Sequence, residues 1–421
     1  MVFIPFIWIS LLFLFIWKKR RLDISAYATL WFVISSLFSI ILVNSPDGME
    51  FSRYPSVFST IVYCLGNSLI IWPLYRFDVN SLQGIVIRNE KTINFLTYLF
   101  FSVFIILVLS RWKTLVFIFT VADWESLRAM AHDDEIVIEN YTGIIKLVTF
   151  IAKLIGMASS VMVPVFFISI CYLKRSWWFY LMAILGSANV IINGFIGFDR
   201  SSTFRWLLLL GFCTVMFWKY ISKKAQKRIV PVIIAILSGS LLYFAAVTEA
   251  RFENTAQGSQ GSLIEYAGQP YLYFCNIYDR LDNGEGITTK YIFPTIHKYI
   301  FNDYEGNVPR QNELTNRTGI KCNVFYSVLG SFVLDANQPG PYLYIIYYLL
   351  IYAILFHQRR KRRYISLSLF LCFYFMMQIA VFGIIAYNYT VPLTKIIILL
   401  LLLFVKLSEN KTRRFAYREG F

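Results

Sequence analysis

An all-α, polytopic membrane protein is the fold class this sequence predicts, and three observations predict it. The 421 residues are 57% hydrophobic and only 15% charged, with a mean hydropathy of +0.58, whereas an ordinary soluble domain carries about 25% charged residues. Apolar stretches of the roughly 17–25 residues that cross a bilayer as a helix recur along the chain. Lys and Arg fall in short runs between those stretches, as they do in loops that stay cytoplasmic.

About eleven spans follow in order. The first, Met1–Trp17, has no basic residue ahead of its apolar run and no small-residue cleavage site, so it reads as a retained span. Tyr27–Val43, Ser56–Tyr75 and Phe95–Ser110 come next, then Lys146–Leu173, Trp177–Phe198, Phe204–Trp218 and Ile229–Val247. Tyr342–Phe356, Tyr364–Tyr387 and Leu393–Val405 complete the set. The basic clusters Lys18–Arg21, Arg76–Lys91, Lys174–Arg175, Lys219–Arg228, Arg359–Arg363 and the C-terminal "KTRR" each follow an odd-numbered span. They therefore share one side, the cytoplasm, with the N-terminus outside and the C-terminus inside. This gives three regions: spans one to eight over 1–248, a large external loop over 249–341, and spans nine to eleven with a cytoplasmic tail over 342–421.

The formal net charge of +16 is accounted for by those cytoplasmic runs. No basic, aromatic-interleaved soluble module is present to grip nucleic acid, which excludes that class of partner. Cys64, Cys171, Cys213 and Cys372 sit in apolar spans and read as core residues. Cys275 and Cys322 lie in the external loop, where a disulfide between them is open. A second polar segment, Arg111 to Asn140, is acidic at its end, and "TVADWESLRAM" within it has the pattern of an interfacial helix.

The candidate site lies on the outer side. Arg200 and Arg205 stand where span six ends and span seven begins, and Glu249, Arg251 and Glu253 stand where span eight ends. The loop adds Arg280, Lys290, His297, Lys298, Arg310, Arg317 and Lys321. Positive side chains thus gather on the side where they should be scarce. Helix-end arginines commonly snorkel to headgroups, but a cluster of this kind suits an anion. Arginine donates two parallel hydrogen bonds to phosphate and keeps its charge. Tyr271, Tyr273 and Tyr278 belong to a tyrosine-rich stretch whose rings suit sugar faces, or alternatively an interfacial belt. His297 is the one histidine of the loop and the candidate general base, with Glu249 and Glu253 behind it. No acidic cluster with metal spacing is evident, so neither a metal nor another cofactor is expected.

Two stretches carry a resemblance. Arg200 to Gly211 spells R-x10-G, and "NVFYSVLGSFVLDANQPGPYLYIIYYLLIY", Asn323 to Tyr352, closes the large loop with an Asn-Val-Phe-Tyr entry, an acidic turn and a Gly-led helix. Together with the span pattern they resemble Wzy-type O-antigen polymerases, which join oligosaccharide repeat units. Here Asp335 is followed by Ala-Asn-Gln-Pro-Gly340, and the role of Asp335 stays open.

The resemblance implies a GT-C-like, all-helical glycosyltransferase at the periplasmic face of a bacterial inner membrane. It would join undecaprenyl-pyrophosphate-linked oligosaccharides, amid membrane lipids and with a chain-length regulator as a further partner. On this reading Arg200, Arg205, Arg251 and Arg280 hold the pyrophosphate, and Arg200, Arg205, His297 and Glu249 serve catalysis. The competing classes are a flippase for the same lipid-linked oligosaccharide and an O-antigen ligase, which shares the donor but uses a different acceptor.

Overall fold

The computed structural model describes residues 1–45, 55–113, 116, 143–173, 175–196, 200–227, 258–290, 293–303, 307–322, 324–359, 364–384 and 392–410, with parts of 230–239. Among these the chain is helical almost throughout. The exceptions to helix and loop are two three-residue strands, β1 (Gly84–Val86) and β2 (Tyr364–Ser366). Six helices are long and apolar enough to cross a membrane among the described residues, or seven if one bent pair is a single span. These are the helices of a membrane protein.

The chain divides into two compact units, which differ from the three consecutive regions read from the sequence. Unit 1 comprises Met1–Gly84, Gln260–Ile365 and Leu369–Ile396. Unit 2 comprises Ile85–Ser259, Ser366–Ser368 and Ile397–Phe421.

Unit 1 begins with α1 (Phe3–Arg20), α2 (Ile24–Val43) and α3 (Val57–Phe77), which pack on one another. Their ends are written in the sequence. Asp23 caps α2 by accepting from the backbone N–H of Ser25 and Ala26 at 3.0 and 2.9 Å. Ser56 and Ser59 form a reciprocal capping box at the start of α3. At its other end α3 stops at Asp78 in a left-handed conformation, and Asp78 pairs with Arg20.

The central departure from the sequence reading is α10 (Gly258–Arg280), which comes after the unit 2 helices in chain order. These residues were expected on an external loop. Instead Gly268 to Tyr278 are buried without interruption, along α2 and α3. Ser35 and Ser39 of α2 donate to the carbonyls of Ala267 and Gly268, each at 2.8 Å. Gly268 permits this approach: a Cβ there would lie 2.7 Å from the Phe38 carbonyl oxygen. Small and hydroxyl-bearing residues at such a crossing are the usual means by which membrane helices pack closely.

Further along, α11 (Pro294–Ile296) runs into a π-turn over His297–Phe301, followed by α12 (Asn307–Thr318), α13 (Ser327–Ala336) and α14 (Gly340–Arg359). α13 and α14 form a tight hairpin. Any side chain at Gly340 would collide with the Phe332 carbonyl, so glycine is required there. The expected span Tyr364–Tyr387 is β2 followed by α15 (Leu367–Phe382), and Leu393–Val405 extends to α16 (Pro392–Asn410).

Unit 2 holds α4 (Glu90–Ser110), α5 (Gly143–Gly156), α6 (Met162–Tyr172), α7 (Trp177–Ser187), α8 (Asn189–Ile196) and α9 (Arg200–Phe217). Its core includes Val103, Leu107 and Ala152, with Ile106, Ile155 and Ile192 packed against them. The expected span Lys146–Leu173 is a broken one, α5 and α6 being bent by 48°. Trp177–Phe198 is interrupted at Ala188. The expected interfacial helix in "TVADWESLRAM" and most of the span Ile229–Val247 lie outside the described residues.

Candidate functional site

The polar side chains of unit 1 converge on the loop that joins α10 to α11. Asp279, near the end of α10, accepts from Ser56 Oγ at 2.9 Å and from Ser59 Oγ at 2.8 Å, which anchors the start of the loop to α3. Asn283 is wholly buried. Its backbone N–H donates to Asn337 Oδ1 at 2.9 Å and its side chain to the Gly286 carbonyl at 2.9 Å, fixing the loop on the α13–α14 turn. Arg317 of α12 also donates to the Asn283 carbonyl.

From this anchor the loop reaches Asp335, which is fully buried. The Thr288 N–H donates to the Asp335 carbonyl at 2.7 Å, and Tyr344 of α14 donates to Asp335 Oδ2 at 3.2 Å. Lys395 lies within electrostatic reach of the same carboxylate. Arg310 of α12 then donates to Thr288 Oγ1 at 3.2 Å and to Glu285 Oε2 at 3.0 Å. Lys290 spans Glu285 and Asp303, at 3.8 and 3.6 Å. The loop carboxylates and these two cations therefore neutralise one another in pairs.

At the end of this network stands His297. Its Nδ1 lies 2.9 Å from Asp303 Oδ1 and its Nε2 2.9 Å from Thr289 Oγ1. Desolvation pushes the Asp303 carboxyl up, but the His297 hydrogen bond and the His297 and Lys290 charges outweigh it and hold the pKa below the ordinary value. A charged Asp303 requires a proton on Nδ1, and in the neutral imidazole Nε2 then accepts from Thr289. That is the alignment of an acid–base histidine: one nitrogen is oriented by a carboxylate while the other faces a hydroxyl. Two local features produce it. The π-turn and left-handed Asn302 (φ 54°) fold Asp303 back, with its N–H on the His297 carbonyl at 3.1 Å. Thr289 holds φ 57°, an uncommon conformation for a β-branched residue that persists only where the surroundings enforce it.

The two faces of this segment differ. His297 is buried, whereas Tyr299, Ile300 and Phe301 are exposed. The sequence singled out His297 by its rarity. Asp303, Thr289 and Glu285 were missed, because nothing in a polar loop distinguishes a carboxylate six residues from a histidine until the backbone path is known. Asp335 was noted only through the resemblance.

The remaining expected site residues fall as follows. Arg280 is on unit 1, exposed, with its guanidinium on Asn276 Oδ1 at 3.1 Å. Arg200 and Arg205 belong to the first turns of α9 in unit 2, and Arg205 donates to Ser201 Oγ at 3.0 Å. The side chain of Arg200, and Glu249 and Arg251 entirely, lie outside the described residues.

Tyr271, Tyr273 and Tyr278 require a correction. Expected to offer open faces to sugars, they are buried in the helical core. Tyr271 exchanges a hydrogen bond with Thr60 at 2.8 Å and packs edge-on against Tyr63, while Tyr278 bonds to the Tyr342 hydroxyl at 3.0 Å. Their amphipathic rings serve a polar helix interface. Cys275 and Cys322 are both free and buried, which answers the open question of their pairing.

Among the described residues, no group of three or more His, Cys, Asp or Glu side chains is placed to hold a metal ion. Comparison of the chain with models of protein families, with curated proteins and with solved structures finds no match.

Proposed function

We propose that the protein is a membrane glycosyltransferase that joins undecaprenyl-pyrophosphate-linked oligosaccharides, and that His297 is its general base. The observation that carries this reading is the Asp303–His297–Thr289 alignment, with both hydrogen bonds at 2.9 Å. It supplies what transfer to a sugar hydroxyl demands, an oriented imidazole nitrogen able to take a proton. The resemblance of Arg200–Gly211 and Asn323–Tyr352 to repeat-unit polymerases supplies the substrate class.

In the proposed step the acceptor hydroxyl takes the place on His297 Nε2 that Thr289 fills. Its oxygen bonds to the anomeric carbon of the donor, its proton passes to Nε2, and the bond from that carbon to the pyrophosphate oxygen breaks. Asp303 stabilises the imidazolium so formed. The departing pyrophosphate gains negative charge and is met by arginine, for which Arg200, Arg205, Arg251 and Arg280 remain the candidates. Lys290 and Arg310 are already paired with carboxylates and rank behind them. Eleven spans, an external N-terminus, a cytoplasmic C-terminus and a reaction at the periplasmic face complete the proposal.

Purified protein in nanodiscs, given an undecaprenyl-pyrophosphate oligosaccharide, should yield products of two or more repeat units and free undecaprenyl pyrophosphate, read by mass spectrometry. In proteoliposomes, movement of that lipid across the bilayer with no elongation would favour the flippase class and end this reading.

A further inference from the structure

Unit 2 carries buried oxygen atoms without partners where two interrupted helices meet. The first interruption separates α5 from α6, which diverge by 48° across a short 3-10 turn at Ser159–Val161. The second is at Ala188, whose N–H turns back to the Leu185 carbonyl at 2.9 Å and tightens the chain between α7 and α8. The Ser159–Val161 turn packs on both α7 and α8. Gly156 closes the gap: a Cβ there would lie 3.5 Å from both Asn189 Cβ and Asn193 Nδ2.

Asn189 is fully buried, and its orientation is fixed by its own hydrogen bonds. Its Nδ2 donates to the carbonyls of Phe100 at 3.0 Å and Gly186 at 2.9 Å. A flipped amide would set its oxygen against both carbonyls, so Oδ1 must point the other way. No protein group meets it there. Asn193 Oδ1 and Ser159 Oγ likewise lack partners, and Ser159 is also fully buried. Buried acceptors are normally satisfied, so a concentration of unsatisfied ones calls for an occupant.

We propose that the oxygens of Asn189, Asn193 and Ser159 form a binding site for a dehydrated alkali cation. All three are neutral. A divalent ion draws carboxylates into its shell, whereas amide, hydroxyl and carbonyl oxygens at broken membrane helices are the donor set that holds a monovalent one. The carboxyl-terminal end of α5 lies at the bend and contributes the negative end of a helix dipole. The site belongs wholly to unit 2 and requires neither His297 nor a glycosyl substrate.

Thermal unfolding of the protein in nanodiscs, followed by tryptophan fluorescence, tests the site directly. At constant ionic strength, exchanging choline chloride for sodium or potassium chloride should raise Tm in a saturable manner. Ser159→Ala removes a hydroxyl that makes no hydrogen bond in the structure, so it should fold. It should raise the half-saturating concentration about tenfold or more, as should Asn193→Val. Identical Tm values in all three salts would mean that the oxygens hold only water and would overturn the proposal. So would a cation response that both variants leave intact. Because product formation is read separately, either outcome is independent of the glycosyltransferase reading.

Discussion

Replacing Gly268 with alanine tests whether α10 is a core helix or surface loop. The added Cβ would stand 2.7 Å from the Phe38 carbonyl oxygen and 2.9 Å from its carbon. Ordinary contact begins near 3.4 Å, so α10 and α2 must part by about 0.7 Å. The Ser35 and Ser39 hydrogen bonds to α10 would stretch from 2.8 Å to the limit of a useful bond. Their loss costs about 0.5–1.5 kcal/mol each, and overpacking costs about 1–3 kcal/mol. Alanine returns about 1 kcal/mol of helix propensity. Destabilisation of about 1–5 kcal/mol remains, readable as a lowered Tm in detergent or nanodiscs. Gly239→Ala, at a helical position where nothing lies within 4 Å, is the control and should hold Tm or raise it slightly through the same helix propensity. A Gly268→Ala protein as stable as the wild type would refute the close crossing and with it the placement of α10.

Three further outcomes are expected, the first from the proposed function and the other two from the structure. Arg200→Lys should lose product nearly as completely as Arg200→Ala while expression persists, because an ammonium cannot reproduce the guanidinium fork on a pyrophosphate; full product from the lysine variant would reduce Arg200 to a snorkelling residue. Burial pushes the Cys322 thiol up to about 11, so maleimide at pH 7 should label it only after denaturation, and reductant should leave Tm unchanged since both Cys275 and Cys322 are free. Asp303, held below its ordinary value of 3.8, contributes stability that is present above that pH and lost as pH falls through the lowered value; Asp303→Asn should remove that acid-side loss in pH-dependent unfolding.

The apolar helices were legible because lipid demands a composition that lipid-facing helices cannot avoid. Basic clusters such as Lys18–Arg21 likewise announced where α1 ends. α10 escaped because Gln269, Tyr271, Tyr273, Asn276 and Tyr278, residue types that read as exposed, are buried in it beside Leu272, Phe274 and Ile277. The helix is held by Ser35 and Ser39 on its Ala267 and Gly268 carbonyls, Ser56 on Asp279 and Thr60 on Tyr271, all from helices distant in sequence, and no local periodicity reveals such a polar interface. The site divides in the same way. His297 was found by scarcity, but its link to Asp303 depends on a π-turn and a left-handed residue, whereas helical side chains normally meet at spacings of three or four. Asn189 and Asn193 were passed over as ordinary span residues, since only the positions of Phe100 and Gly186 show which way the Asn189 amide must point.

The proposed base is tested most directly by the elongation rate of His297→Ala and His297→Gln proteins beside the wild type, on a defined undecaprenyl-pyrophosphate oligosaccharide and with folding checked by Tm. The account predicts a rate loss of about 10²–10⁴-fold in both variants, with bound donor retained. Turnover of either variant within a few-fold of wild type would contradict it.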